Sequence, residues 1–244
     1  MNLETIFDQL ELGELAQISL TERVNGELPA SSKKSLATHI NMALTALHKR
    51  FLLKEEAVTI ALQPGQYAYV LSSRFAESNT RSDVDVKYIL DLDDPFKDTV
   101  LSIHAVTDDL GDDLLLDHPT RIESLKRTSY RTIVLPAKSD RFKHPLDYSE
   151  TMTVIYQANH RQLTDMDLVY PANMIDIDLP ETHLEPLVYY VASRVMNPIG
   201  LNEEFHAGNN YAAKYEESCR QLEDQGFGMS APGQDHQFSR GGWV

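Results

Sequence analysis

The sequence is poor in cysteine, in positive charge and in long apolar runs. Cys219 is the one cysteine among 244 residues, which excludes an intramolecular disulfide and any multi-cysteine metal site. We predict that Cys219 is a small buried hydrophobic residue rather than a reactive thiol. No apolar run approaches the length of a membrane span, and Glu4 and Asp8 stand where a signal peptide would be basic. We therefore expect a soluble protein of a reducing compartment, or one assembled there, with no membrane partner.

Positive charge is scarce, since 22 lysines and arginines face 37 aspartates and glutamates, for a formal net charge of −15. This balance argues against a protein that grips nucleic acid through phosphate contacts. It is compatible with a surface along which nucleic acid slides without sticking. Most soluble proteins this acidic are simply well solvated, so the charge does not decide between the two interpretations.

The common catalytic and nucleotide-binding motifs are absent as well. There is no Gly-x-Ser-x-Gly elbow, no Gly-x-x-x-x-Gly-Lys-Ser/Thr loop and no Gly-x-Gly-x-x-Gly after a strand. Nine histidines are scattered, and His39 and His48 share a predicted helix without the His-Glu-x-x-His arrangement of zinc proteases. We predict no catalytic residue, no metal and no cofactor. A non-local Asp/His site cannot be read from sequence, so a hydrolase-like enzyme is the alternative function.

Two acidic clusters look like turns rather than metal sites. The run Asp108–Asp113 has aspartates on both sides of Gly111 but lacks the spacing that wraps a calcium ion. Asp91, Asp93 and Asp94 before Pro95 follow the same pattern. Both clusters therefore predict strand-connecting turns.

The chain is organised around the stretch from Leu179 to Gln225. Thr182 and Glu185 predict a capping box, and an apolar stripe at helical spacing follows. Asn197-Pro198 and Gly200 should end this helix, Asn202 should cap a second one, and Gly226 should end that. The apolar positions of the two helices are Leu184, Leu187, Val188, Val191, Ala192, Val195 and Met196, then Phe205, Tyr211, Ala212, Tyr215, Cys219 and Leu222. Such a helix pair needs further helices against it.

The N-terminal part offers those helices. A short amphipathic helix is expected from Leu3 to Leu10, with Gly13 as its break. Ser31 or Ser32 is expected to cap a longer one. The stripe of this second helix consists of Leu36, Ile40, Ala43, Leu44, Leu47 and Phe51.

From Ala57 the apolar period changes to two, which predicts strands. Val58, Ile60 and Leu62 alternate, Gln63-Pro64-Gly65 turns the chain, and Tyr67, Tyr69 and Leu71 alternate again, as in a hairpin. Further strands are expected at Val86–Leu90, Thr99–Val106, Leu114–Leu116, Thr132–Leu135 and Thr151–Gln157. Two basic groups favour a guarded strand edge over a nucleic-acid surface, and they consist of Arg121, Lys126, Arg127 and Arg131, and of Lys138, Arg141 and Lys143.

These patterns predict an α+β fold, in which N- and C-terminal helices form a bundle, with a central antiparallel β region and an extended C-terminal arm. The expected parts are residues 1–56 (N-terminal helices), 57–178 (β-rich region), 179–226 (C-terminal helix pair) and 227–244 (arm). The arm is rich in Gly and Ser yet carries large apolar residues, which suggests anchors that dock on another subunit. The alternative is a disordered tail, or one folded back on its own domain. The candidate partner-binding residues are Phe227, Met229, Phe238 and Trp243.

The order and texture of these elements resemble the head-to-tail adaptor (neck, or tail-tube) proteins of short-tailed bacteriophages. The resemblance extends from about Leu36 to Leu222. It is strongest at Asp178-Leu179-Pro180 and at Ala192–Arg194. The other stretches that carry it are Ile40–Leu44, Leu47, Arg50-Phe51, Tyr69–Leu71, Val154–Tyr156, Leu187–Tyr190 and Tyr211–Glu216.

The resemblance implies a structural virion protein rather than an enzyme. Members of that family form a ring, usually of twelve copies, beneath the portal, with the helices side by side and the β region extending toward the tail. Their C-terminal arms often dock on the portal. By resemblance the partners here are the portal protein, a tail nozzle or tube protein and copies of this chain, and genomic DNA passes through without specific binding. The implied locations are the neck of the virion and, during assembly, the host cytoplasm.

Overall fold

The chain folds into two compact units, each with its own hydrophobic core. A computed structural model describes residues 1–16, 28–119, 121, 124–136, 149–196 and 203–227, except for the side chains of 203–207. One unit contains Met1–Leu53 and the chain from His160 onward to the last helix, and the other contains Lys54–Asn159. The first unit is helical and the second is built from two antiparallel sheets, so the predicted α+β class is confirmed.

The longest helix of the first unit, α2, spans Ala30–Arg50. Its buried positions recur three and four residues apart, as expected for one face of a helix against a core. These positions include Leu36, Ile40, Ala43, Leu44 and Leu47. Ser31 and Ser32 lie inside this helix, so the predicted cap is wrong. Pro29 holds the cap position instead, where its fixed φ suits the entry of the chain and no side-chain cap is made.

The two chain segments of this unit are joined by backbone hydrogen bonds. Helix α1 (Leu3–Gln9) begins at Asn2, whose side chain accepts a hydrogen bond from the Thr5 amide at 2.9 Å. The Ile177 amide donates to the Met1 carbonyl at 2.8 Å, and the Leu3 amide donates to the Ile175 carbonyl at 2.9 Å. The α1 turn and residues 175–177 therefore fold together.

The C-terminal helices α3 (Leu184–Val195) and α4 (Glu203–Leu222) pack against each other and α2, as predicted. Cys219 is buried among them, which confirms its structural role, and burial raises the pKa of its thiol to about 11. Met1–Leu53 alone does not complete this core, because residues 160–179 also contribute. The buried residues of that segment are Leu163, Ile175, Ile177 and Leu179.

The predicted capping box at α3 is wrong. A short 3₁₀ turn over Glu181–His183 leads into the helix, and no side-chain cap is present. The Thr182 hydroxyl lies 3.0 Å from His183 Nδ1, and Glu185 accepts a hydrogen bond from the Tyr189 hydroxyl. Tight turns compete with capping geometry because they already satisfy the first amides. The predicted stop at Asn197–Gly200 and the predicted cap Asn202 lie outside the described residues.

The larger sheet of the second unit has the strand order β3-β1-β7-β4. Its strands are β1 (Glu55–Ala61), β3 (Ile89–Leu90), β4 (Val100–Asp108) and β7 (Thr151–Ala158). The smaller sheet has the order β2-β6-β5, with β2 (Ala68–Val70), β5 (Lys126–Ser129) and β6 (Thr132–Val134). Only isolated bridges form near Leu114–Leu116. The buried side chains of the two sheets form one core.

The predicted hairpin between the Val58 and Tyr69 stretches is wrong, because β1 and β2 belong to different sheets. Strand β1 pairs with β7 and β3, whereas β2 pairs with β6. Alternation in sequence indicates which face of a strand is buried but not which strand lies beside it. The edge interpretation of the basic residues is confirmed for β5, an edge strand whose four side chains are all exposed.

Asp91 ends strand β3. Its buried carboxylate accepts hydrogen bonds from the Ser78 amide at 2.9 Å, from the Ser78 hydroxyl and from the Phe96 amide at 2.8 Å. These bonds turn the chain over residues 91–96 away from β1. Burial alone would raise the pKa of Asp91, but the hydrogen bonds from Ser78 and Phe96 outweigh it and lower the pKa.

Replacing Asp91 should destabilise the second unit. We expect Asp91→Asn to lower the free energy of unfolding by roughly 2 kcal/mol, because a buried charged acceptor loses bonds worth about 1.5–3 kcal/mol. The measurement is equilibrium unfolding in urea. The matched control is Asp93→Asn, an exposed neighbour, which should change stability by less than about 0.5 kcal/mol. Equal effects from both variants would contradict this role of Asp91.

Candidate assembly surface

A short segment of the helical unit presents large apolar side chains to solvent. Met166, Val169, Tyr170 and Met174 are between 63% and 82% exposed, although they fall within nine consecutive residues. Isolated apolar residues on a surface need no explanation, but a contiguous group of this kind is typical of a protein interface. We call residues 166–174 the exposed apolar segment.

The exposed apolar segment is held in place on its N-terminal side by a carboxylate. Asp167 accepts hydrogen bonds from the Thr164 amide at 2.8 Å, from the Thr164 hydroxyl at 2.7 Å, and from Arg161. The Thr164 hydrogen bonds, followed by that of Arg161, lower the pKa of Asp167. The resulting 3₁₀ turn, Asp167–Val169, points its neighbours outward.

The preceding residues attach the segment to α2. The side-chain amide of Asn41 donates to the Leu163 carbonyl at 2.9 Å and accepts from the Leu163 amide at 2.9 Å, as a strand partner would. Lys34 Nζ lies 2.7 Å from the Asp165 carboxylate. On the far side, Ile175 is buried in the helical core. The exposed side chains thus sit on a fixed backbone.

A groove runs beside this segment within the same unit. It has a volume of about 340 Å³ and lies between the segment and α1. Its lining residues include Val169, Tyr170, Phe7, Asp8 and Lys33. The surface therefore combines a projecting apolar part with an adjacent recess, which is a shape that a protein partner can match.

Of the predicted partner-binding residues, Phe227 is described, whereas Met229, Phe238 and Trp243 lie outside the described residues. Phe227 is 46% exposed, and its ring packs edge-on against His183 with 6.1 Å between centroids. His183 is itself buried and packs edge-on against Phe51 at 4.8 Å. The beginning of the predicted arm thus contacts the helical unit.

Ion pairs fix the C-terminal end of the last described helix, just before the predicted arm. Arg50, in the last turn of α2, binds Glu216 at 2.7 Å and Glu223 at 2.7 Å. The hydrogen bond from Arg50 lowers the pKa of Glu223. A π turn over Glu223–Phe227 follows, in which Gly226 adopts a φ of 89° that suits glycine.

Two of the residues considered for chemistry, Asp108 and His160, form hydrogen bonds within the fold. Asp108 accepts hydrogen bonds from the Leu110 and Asp112 amides, which confirms the turn interpretation of that cluster. His160 Nδ1 lies 2.8 Å from the Arg161 carbonyl oxygen, and its Nε2 lies 3.2 Å from the Thr45 hydroxyl. Among the described residues, no three His, Cys, Asp or Glu side chains are placed to hold a metal ion. No described helix is long and apolar enough to cross a membrane.

Comparison with known families decides the class of this protein. The family model described as SU10 adaptor protein matches residues 11–235, most of the chain. The chain belongs to the SU10 adaptor protein family. It is therefore a phage structural adaptor of the virion neck, a class that is typically not enzymatic, and the resemblance to phage head-to-tail adaptors is confirmed. No curated protein matches the chain.

Sequence reasoning did not find the exposed apolar segment of this adaptor. Its apolar residues follow no helical or strand period, so periodicity does not distinguish this segment from an ordinary loop. Met166, Val169 and Met174 lie close together without being predicted to face any core. Large apolar residues that cluster in sequence without a predicted core position were the one available signal of an exposed surface.

Burial of His183 should make the stability of this adaptor fall in mild acid. Burial lowers the pKa of His183 from 6.5, so the fold favours neutral imidazole. The stability that depends on neutral His183 is fully present above about pH 6.5. It is lost as the pH falls below that value, because the unfolded chain takes up the proton first. His39 contributes in the same direction, since burial and Arg194 lower its pKa.

When the pH falls from about 7.5 to about 5, we expect His183→Gln to lose less unfolding free energy than the parent protein does. Urea unfolding at the two pH values measures it. His39→Gln is the comparison variant and should remove a separate part of the pH dependence. A pH dependence unchanged in His183→Gln would contradict the account of this buried histidine.

Proposed function

We propose that this adaptor forms a ring below the portal, joins the capsid to the tail and lines the passage for genomic DNA. The observation that carries the proposal is the exposed apolar segment on the helical unit of an SU10-family adaptor. Large apolar side chains held on a fixed backbone lose little conformational entropy when a neighbour covers them. They are suited to contacts between copies.

The proposed ring is built from heterologous contacts. The exposed apolar segment of one copy packs on a different surface of the next, and such contacts close into a ring when the rotation per copy closes. Twelve copies are proposed, in keeping with the phage adaptors that the sequence resembles. The portal protein contacts the ring on one side, and a tail nozzle or tube protein contacts it on the other.

The charge of the chain supports passage of DNA. Each copy has a formal net charge of −15, so a ring of copies repels phosphate. It gains none of the counterion-release affinity that basic proteins obtain on DNA. In this proposal DNA passes through without specific binding, and assembly takes place in the host cytoplasm before the ring becomes part of the virion neck.

The arm is proposed to bind the portal. Phe227 begins it, and Met229, Phe238 and Trp243 supply apolar anchors along it. The contact between Phe227 and His183 supports a starting point for the proposed arm on the helical unit. A segment that orders on its partner binds only when the portal is present, which couples ring assembly to a preformed template.

Charged substitutions in the exposed apolar segment should prevent assembly without unfolding the subunit. We expect Val169→Asp with Met174→Asp to weaken self-association on the portal by about tenfold or more, because two apolar contacts become buried charges. Sedimentation velocity of chain and portal mixtures measures it.

The matched control for that pair is Leu110→Asp, which places a charge at an exposed apolar residue of the second unit, 83% exposed. It should assemble normally, and its stability and that of the double variant should stay within about 0.5 kcal/mol of the parent. Normal assembly by the Val169 and Met174 variant would exclude this segment as the contact.

Ending the chain after Phe227 should abolish binding to the portal. The truncated protein retains all described helices and both sheets, so its circular dichroism should match that of the full chain. Pull-down on purified portal measures the loss. Phe238→Ser with Trp243→Ser in the full chain should reproduce it, because apolar anchors are the main source of affinity in such segments. Retained portal binding by the truncated chain would argue against the arm.

A further inference from the structure

The larger sheet of the second unit has a partly uncovered edge. Strand β1 pairs with β7 along its whole length, from Glu55 to Ala61. On its other side, β3 pairs only with Thr59 and Ile60. The turn at Asp91 takes the chain away at this point, so no strand among the described residues lies on the β3 side of the N-terminal half of β1.

The register shows which backbone groups this leaves unpaired. The Leu62 amide donates to the Glu150 carbonyl in front of β7, whereas the Ala61 amide donates to the Tyr88 carbonyl on the β3 side. Backbone groups alternate along a strand, so the N–H and C=O of Ala57 point to the β3 side. Within the described part of the chain, no backbone or side-chain group bonds to them. Ala57 is also exposed.

A groove of about 630 Å³ lies along this edge. One side is formed by β1 and the other by the residues around the Asp91 turn. Its apolar lining includes Val58, Leu90, Leu92 and Phe96, and its acidic lining includes Glu56, Glu77, Asp91, Asp93 and Asp94.

Some of the acidic side chains are bonded inside the groove, and others are exposed at its rim. Glu56 pairs with Lys54 at 2.8 Å and accepts from the Tyr156 hydroxyl at 3.0 Å, and Asp91 is bonded within its turn. Asp93 and Asp94 are exposed at the rim, and Lys97 lies 3.7 Å from Asp94. The rim thus offers negative charge to whatever enters the groove.

Bare strand edges are usually guarded by lysine, proline or a covering loop. At this edge Lys54 and Lys97 are paired with carboxylates, acidic residues outnumber basic ones in the groove lining, and Leu92 is 72% exposed. An extended peptide whose main chain pairs with the free groups, and whose side chains alternate between basic and apolar, fits this combination.

We propose that this edge binds an extended basic and apolar segment of a partner protein as an added strand, antiparallel to β1 and in line with β3. A second copy is not the occupant, because two acidic edges would repel each other. The inference is independent of the ring and of the arm.

The test uses the full chain and a labelled, end-blocked peptide of alternating Lys and Val. Fluorescence anisotropy measures the affinity, and slowed amide exchange at Ala57 locates the site. We expect the peptide with Glu in place of Lys, and one with a central proline, to bind at least about tenfold more weakly. Equal binding of all three peptides would overturn the proposal.

Two sets of variants separate the backbone from the charges. Ala57→Pro removes the outward N–H and leaves the β7 ladder intact, so binding should fall by about tenfold, whereas Ala57→Ser should bind as the parent does. Asp93→Asn with Asp94→Asn should weaken binding several-fold at low salt, and the difference should shrink as salt rises. Unchanged binding by Ala57→Pro would overturn the added strand, as would self-association of the chain through this edge.

Discussion

The adaptor depends on a core that its two chain ends share. The terminal amine of Met1 donates to the Ile177 carbonyl at 3.2 Å, 176 residues along the chain. The Ile177 amide in turn donates to the Met1 carbonyl. Helix α2 packs in the same core as Leu187 and Val191 of α3. Neither end can bury its apolar stripe alone, so the helical unit forms only when the chain has returned from the sheets. Contacts of such long sequence separation slow folding, because the entropy cost of closing the chain precedes the contacts that repay it.

This shared core fixes the surface that the ring proposal requires. The exposed apolar segment sits between Leu163, held by Asn41, and Ile175, which is buried against the N-terminal elements. Its position is set by both chain ends at once. An unfolded or half-folded subunit therefore lacks the proposed contact, and only complete subunits would enter a ring. The acidic edge of β1 belongs to the other unit and has a separate cause, the turn at Asp91.

The sequence predicted a helix or strand correctly where its apolar period alone decides the structure. Apolar periodicity located α2, α3 and most strands, because burial of one face is what such a pattern records. Sequence patterns failed to predict which strand pairs with which. They also failed where two local structures compete to satisfy the first backbone amides of a helix. The Val58 and Tyr69 stretches alternate as a hairpin does, yet β7 and β6 are their partners. Thr182 and Glu185 have capping-box spacing, yet a 3₁₀ turn satisfies the first amides. The apolar residues of the exposed apolar segment around Val169 follow neither a helical nor a strand period.

The most direct measurement is electron microscopy of the purified chain mixed with portal. A closed ring in which the helical units lie side by side, with residues 166–174 of each copy covered by its neighbour, is the result that the account predicts. Isolated subunits on the portal, or a ring joined through the sheets with residues 166–174 still open to solvent, would contradict it.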